Sequence, residues 1–190
     1  MPQPNHVTAL DDADESTLPE DLQPYFQKCR DKLGFVPNVL RAWLVRPEKL
    51  RNFIKLYDEL MLGASGLSKL EREMIAVAVS SWNRCYYCLV AHGAAVRKIS
   101  GDAQLGEMLA FNYRVADLPT RQRAMLDFAI KLTESPHEIA GPDRDGLSQH
   151  GFSDEDIFDI CEVTGFFNFT NRVAHGLDMM PNPEYHALGR

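Results

Sequence analysis

The sequence predicts an all-α fold, and three features carry that reading. Apolar residues recur at helical spacing through most of the chain, as in Leu22, Tyr25, Phe26, Cys29 and Leu33. Capping pairs stand ahead of such stretches, with Thr17 three residues before Glu20 and Ser68 three before Glu71. No stretch alternates polar and apolar residues strongly enough to compete as a strand.

In chain order, residues 1–16 read as a flexible N-terminal arm, since Pro2 and Pro4 lead into an acidic run without periodicity. Residues 17–190 read as a single all-helical domain. Its first helix should start near Thr17 and stop at Gly34. A short helix over 38–45 precedes one over 47–63, opened by Pro47 and faced by Leu50, Phe53, Ile54, Tyr57, Leu60 and Met61. Ser68 opens a helix to about Ser81 whose Met74–Val79 portion is apolar all round, the mark of a central, buried helix. Asn83 is the expected N-cap of the next helix, where Gly93, Ala94 and Ala95 allow close packing. Helices over 103–112, 120–133 and 142–149 follow. Ser153 then caps a long helix, Asp154 to about Leu177, with Asp154, Glu155 and Asp156 at its positive end. The apolar and aromatic residues of the 47–63 and 154–177 helices exceed what one small domain needs, so the chain is expected to form oligomers.

Composition narrows the function. The chain carries 20 Lys and Arg against 27 Asp and Glu, a net charge of -7 without a basic run, which argues against nucleic acid and anionic membranes. No apolar stretch reaches the ~18 residues of a membrane span. The N-terminus lacks the basic and apolar regions of a signal peptide, so a cytoplasmic location is expected. In a reducing compartment the close pair Cys85 and Cys88 points to catalysis or metal binding more than to a staple.

The stretch Glu73–His92 holds the chemistry. If residues 84–98 are helical, Cys85, Cys88 and His92 share one face at i, i+3 and i+7. Cys85 lies at the positive helix end, and Cys88 has His92 one turn away as a base. Two thiols three residues apart can pass through a sulfenic acid to a disulfide. Glu73 stands in an apolar run where a carboxylate needs a partner, and it can meet His92 or Cys85 across a helix pair. Two other readings stay open here: buried small hydrophobes, or a metal site of Cys85, Cys88 and His92 with Glu73 as fourth ligand. Cys29 and Cys161 read as buried and inert, His150 as solvent-facing and His175 as a surface or core residue. The run Phe166-Phe167-Asn168-Phe169 reads as core, with pocket lining as the minor alternative. Val-Ala-His-Gly occurs at 90–93 and again at 173–176; that register sets Cys88 opposite Asn171 and Cys85 opposite Asn168.

Glu-(11 residues)-Cys-x-x-Cys-x-x-x-His resembles the signature of the alkylhydroperoxidase D family, within the carboxymuconolactone decarboxylase-like superfamily. The segment Val79-Ser80-x-x-Asn83-x-Cys85-x-Tyr87-Cys88-x-x-x-His92-Gly93 is most similar to the branch of peroxidase-related enzymes. The similarity continues through Asn112-Tyr-Arg to Leu132-Thr133 and through Gly151-Phe-Ser-Asp to Asn171-Arg172, covering roughly residues 20–185.

The resemblance implies a helical bundle that assembles as trimers or hexamers. It implies a cofactor-free hydroperoxide reductase cycling between dithiol and disulfide, recharged by a thiol or lipoyl-bearing protein reductant. Cys88 matches the peroxide-attacking thiol, Cys85 the resolving thiol, and Glu73 and His92 the proton relay. The chain departs from the family at Tyr87, where the best-studied members have a second His; a phenol is a poor base near neutral pH, so a slow reaction is expected. Lyase relatives acting on lactone acids generally do without the vicinal thiols, and a metal-binding or redox-sensing oligomer is the remaining alternative.

Overall fold

A computed structural model describes residues 3–11 and 13–190. Among them there are helices and connections and no strand. The first helix, α1 (Gln23–Leu33), begins later than Thr17 predicts. Residues 15–22 form two short 3₁₀ turns instead, Glu15–Thr17 and Glu20–Leu22. Pro19 interrupts the backbone donors there, and Pro24 occupies the first turn of α1, where a missing N–H costs nothing. Gly34 ends α1 in the left-handed conformation, φ 87°, and its N–H bonds the Arg30 carbonyl.

Two helices, α2 (Asn38–Trp43) and α3 (Pro47–Tyr57), pack with α1 around Phe26, Leu40, Leu44 and Leu50. The helix expected to run to residue 63 changes to a π turn over Asp58–Leu62. Arg72 is buried beneath that turn and donates to the Leu60 and Gly63 carbonyls at 3.1 and 3.0 Å, satisfying helix-end acceptors.

α4 (Lys69–Trp82) is the central helix the apolar run predicts: Met74 to Val79 are at most 1% exposed. It packs against α5 (Tyr86–Ser100), α6 (Ala103–Asn112), α7 (Thr120–Glu134) and, beyond the short α8 (Gly141–Gln149), against α9 (Asp154–Gly176). Where α5 meets α6, a Cβ on Gly106 would come within 2.8 Å of the Arg97 side chain; Gly93 is under no such constraint.

The capping boxes at Ser68/Glu71 and Ser153/Asp156 both form. Arg121 joins them. Its guanidinium pairs with the buried Glu71 carboxylate, lies 4.0 Å from Asp156 and covers the Phe152 ring at 3.8 Å. Arg121→Ala is therefore expected to lower stability by about 2 kcal/mol, because Glu71 would keep a buried charge without its partner. Chemical denaturation of wild type and variant measures it.

The arm is extended, and its described residues lie on the end of the chain. Ala9 N–H bonds the Leu177 carbonyl at 2.8 Å and Met180 N–H bonds the Val7 carbonyl at 3.0 Å, with Val7 buried. Residues 179–188 are in turn fastened to the body. Asn182 accepts from Asn38 N–H at 2.7 Å, and Arg97 donates to the Tyr185 and Leu188 carbonyls, both at 3.0 Å.

Candidate active site

The sequence expects Asn83 to cap the thiol-bearing helix. In the structure Asn83 closes α4, and Cys85 itself occupies the N-cap position of α5. The intervening Arg84 takes a left-handed backbone, φ 55°, which turns the chain within three residues. Cys85 N–H bonds the Ser80 carbonyl at 2.9 Å, so the last turn of α4 holds the first thiol in place. Cys88 then falls in the first turn of α5, with His92 one turn further.

Glu73 is buried, and His92 is its partner. His92 Nδ1 and Glu73 Oε2 are 2.7 Å apart, with side chains 13% and 9% exposed. A carboxylate only accepts, so Nδ1 carries the hydrogen and the neutral ring keeps Nε2 as an acceptor. Phe167 meets the imidazole edge to face at 4.7 Å and fixes its plane.

Both thiols are buried and reduced, Cys85 1% and Cys88 3% exposed. They titrate as a pair. The Cys88 thiol, hydrogen-bonded to the Cys85 sulfur, pulls Cys85 down to about 7, against burial; the Cys88 backbone amide and the His175 and His92 rings add to the pull. The same contact pushes Cys88 up, and burial adds to it. Cys85 is therefore the readier of the two to ionise, as the N-cap position favours.

Access distinguishes the thiols the other way. Cys88, His92 and Glu73 line one cavity of about 230 Å³, and Cys85 does not. The cavity wall is largely aromatic, with Trp43, Phe53, Tyr57 and Phe166 among its members. Trp43 and Phe53 stack at 4.7 Å and Phe53 and Phe166 at 5.6 Å. Phe166 and Phe167 belong to the core and to this wall together, whereas Phe169 is 48% exposed. Met179 and Tyr185 close the wall from the tail. Burial holds the Tyr57 and Tyr185 phenols above their ordinary range, so these two stay uncharged.

Tyr87 is no substitute for a relay base. Its hydroxyl accepts from Val39 N–H at 3.0 Å, a strut between α2 and α5, and burial pushes its phenol well up. Tyr87→Phe should cost about 1 kcal/mol through the lost acceptor and leave the thiol chemistry within a few-fold of wild type. Denaturation and thiol alkylation rates check the two halves.

Of the remaining candidates, Cys29 reaches the cavity wall, partly buried, with its thiol raised by burial; Cys161 is also half-buried and raised by burial, away from it. His150 is exposed. His175 is exposed too, its Nε2 2.9 Å from the Asn83 carbonyl oxygen. Among the described residues no three His, Cys, Asp or Glu side chains converge as a metal ion would need. Nor is any helix there long and apolar enough to cross a membrane.

Sequence reasoning missed a polar ladder behind the thiols. Asn83 Nδ2 donates to Asn171 Oδ1 at 2.9 Å and to Asn168 Oδ1 at 3.1 Å, and Asn171 Nδ2 donates to Ser80 Oγ at 3.0 Å. The signal available was the Val-Ala-His-Gly echo, whose register pairs Asn171 with Cys88.

The family model described as Carboxymuconolactone decarboxylase family matches residues 47–126. Among solved structures, an uncharacterised peroxidase-related protein from Silicibacter sp. TM1040 is 61% identical, with TM-score 0.95 and 100% of both chains covered. An alkylhydroperoxidase AhpD core, an uncharacterised peroxidase-related protein from Ralstonia eutropha JMP134, is 43% identical with TM-score 0.95 over 98% of both chains. The debrominase Bmp8, in complex with 2,3,4-tribromopyrrole, shares the fold at TM-score 0.79 and 22% identity, over 98% of this chain and 96% of its own. No curated protein matches the chain.

Proposed function

The chain belongs to the AhpD-like group of the carboxymuconolactone decarboxylase superfamily, and we propose that it is a cofactor-free thiol peroxidase using the Cys85/Cys88 dithiol. One observation carries the reading: the hydrogen-bonded Glu73–His92 pair and Cys88 open together into an apolar cavity. A mostly apolar wall, whose carboxylate Glu73 is already paired with His92, favours a hydroperoxide with an apolar body over an anionic one.

The steps follow from the roles of the groups. The Cys88 proton passes to His92 Nε2. The Cys88 thiolate then attacks the outer peroxide oxygen and the O–O bond breaks. His92, steadied by Glu73, supplies the proton that releases an alcohol. Cys85 attacks the sulfur of the resulting Cys88 sulfenic acid, an S–S bond forms and water leaves. The balance is one hydroperoxide and two thiols to one alcohol, one water and one disulfide. A thiol or lipoyl-bearing protein returns the two electrons. Relatives named peroxidase-related, and a vicinal thiol pair of which Cys88 lines the cavity, support the peroxidase reading.

Mass spectrometry before and after cumene hydroperoxide tests it. A new Cys85–Cys88 disulfide formed in step with alcohol is the expected result; unchanged thiols would end the peroxidase reading.

The aromatic wall favours one second reading, reductive removal of bromide from a flat haloaromatic by the same dithiol, as the name of the debrominase Bmp8 prompts. Bromide release from tribromopyrrole with disulfide formation would support it.

We further propose a homo-oligomer, a trimer or hexamer as the family resemblance implies. Leu56, Phe158 and Phe169 are 43%, 61% and 48% exposed on the two helices expected to carry surplus apolar surface. Light scattering should give a mass of three or six chains at micromolar concentration; a monomer would overturn it.

A further inference from the structure

Ser80 and Asn171 are 0% exposed, on α4 and α9, and their side chains bond each other at 3.0 Å. Buried polar groups are kept where each hydrogen has a use, so the inventory of this pair can be completed. Asn171 Oδ1 accepts from Asn83, which fixes the amide with its NH2 group toward Ser80. One of the two Nδ2 hydrogens goes to Ser80 Oγ. The second Nδ2 hydrogen and the Ser80 hydroxyl hydrogen are left for another acceptor. Both side chains face the Cys88 sulfur, and both favour its anion.

We propose that Asn171 and Ser80 are catalytic residues that donate to the Cys88 thiolate, with Asn83 a positioning residue that sets the Asn171 amide. The proposal rests on the peroxidase reading for its relevance to turnover, and on the buried Asn83–Asn171–Ser80 hydrogen-bond chain beside Cys88 for its effect on the thiol. It resolves the competition between the two sulfurs. While the pair shares one proton, the anion sits on Cys85. Once that proton leaves Cys88, two preset donors receive the charge without any group having to move, which is how a buried anion is made affordable in a dry site. The donors belong to Cys88, the thiol that reaches the cavity, and they sit behind it, leaving its front open to the peroxide. The charged and titratable groups around this sulfur are Cys85, Tyr87 and His92 on α5, Glu73 on α4 through His92, and His175 on α9 near Cys85. Asn171 and Ser80 are the neutral donors among them.

The test reads the thiol directly, without any peroxide. In a Cys85→Ser background, the pH dependence of Cys88 alkylation by iodoacetamide is followed by peptide mass spectrometry, which separates Cys29 and Cys161. Asn171→Ala and Ser80→Ala should each move the midpoint up by about one pH unit, roughly a ten-fold slower alkylation at neutral pH. Ser80→Thr keeps the hydroxyl and should restore the midpoint. Asn83→Ala leaves both donors present but frees the amide to turn, and should give a smaller upward shift. An unmoved midpoint in folded Ser80→Ala and Asn83→Ala overturns the proposal, even if Asn171→Ala fails to fold. Shifted midpoints in a protein that consumes no hydroperoxide would sustain the donor roles while ending the peroxidase reading, so the two failures are distinct.

Discussion

Cys88→Ser should bring hydroperoxide consumption to background, whereas Cys85→Ser should react once and stop at a sulfenic acid that a dimedone-type probe traps. The asymmetry follows from the cavity. Cys88 lies on its wall beside His92; Cys85 lies at the N-cap behind, tied to the Ser80 carbonyl. Of the vicinal pair, a peroxide that enters meets Cys88 and not Cys85. Cys85 is the readier of the pair to ionise, which suits the second step, where its thiolate attacks the sulfenic acid. The pH profile should reflect this. The pair loses its first proton near the value of about 7 held by Cys85. The thiolate is the reactive form, so oxidation should quicken as pH rises through that value and slow as it falls below it. The reverse outcome, with trapped sulfenic acid in Cys88→Ser and an inert Cys85→Ser, would give the attack to Cys85 and to the helix end.

His92→Ala and Glu73→Gln should slow the oxidation of Cys88 by ten- to ten-thousand-fold, about the range for loss of a proton-transfer partner. His92→Ala removes the group that protonates the leaving alkoxide and belongs at the upper end. Glu73→Gln is milder. Its amide oxygen can still accept from Nδ1–H, but it no longer stabilises a protonated ring, so the rate falls through the charge and not through the geometry. Single-turnover oxidation under excess hydroperoxide separates the two. A Glu73→Gln rate equal to wild type would leave the carboxylate a structural role only. Circular dichroism and thermal melting of each variant guard against counting a misfolded protein as a slow one.

The helical fold was legible because its signals are local. A Ser three residues before an acidic residue can cap a helix within one turn, and the boxes at Ser68 and Ser153 form, whereas the Thr17/Glu20 pair, with Pro19 between, does not. Glu73 was legible as a partnered group because a carboxylate inside an apolar run must find one. What sequence could not show is tertiary. Asn83 has the residue type of an N-cap, but α4 runs one residue past Ser81 and Arg84 accepts a left-handed backbone, so Asn83 is free to serve the amide ladder. The π turn at Asp58–Leu62 depends on Arg72 reaching back from the next helix. Phe166 and Phe167 look like core in sequence, and a cavity wall is made of the same residues with a gap left between them.

The tail that closes the cavity gives the protein an order of assembly. Synthesis proceeds from the N-terminus and domains form as they emerge, so α4 and α5 can pair, and bring the two thiols and the Glu73–His92 relay together, well before Met179 and Tyr185 exist. Residue 7 waits for residue 180 to complete its contact. A nascent chain thus carries its dithiol with one side of the pocket missing. A chain stopped after Gly176 should retain the helical core while its Cys88 alkylates faster than in the complete protein, and adding back the tail as a peptide spanning residues 177–190 should slow that reaction. The segment made after the thiol helices would then act as a timer, withholding a selective pocket until it has emerged.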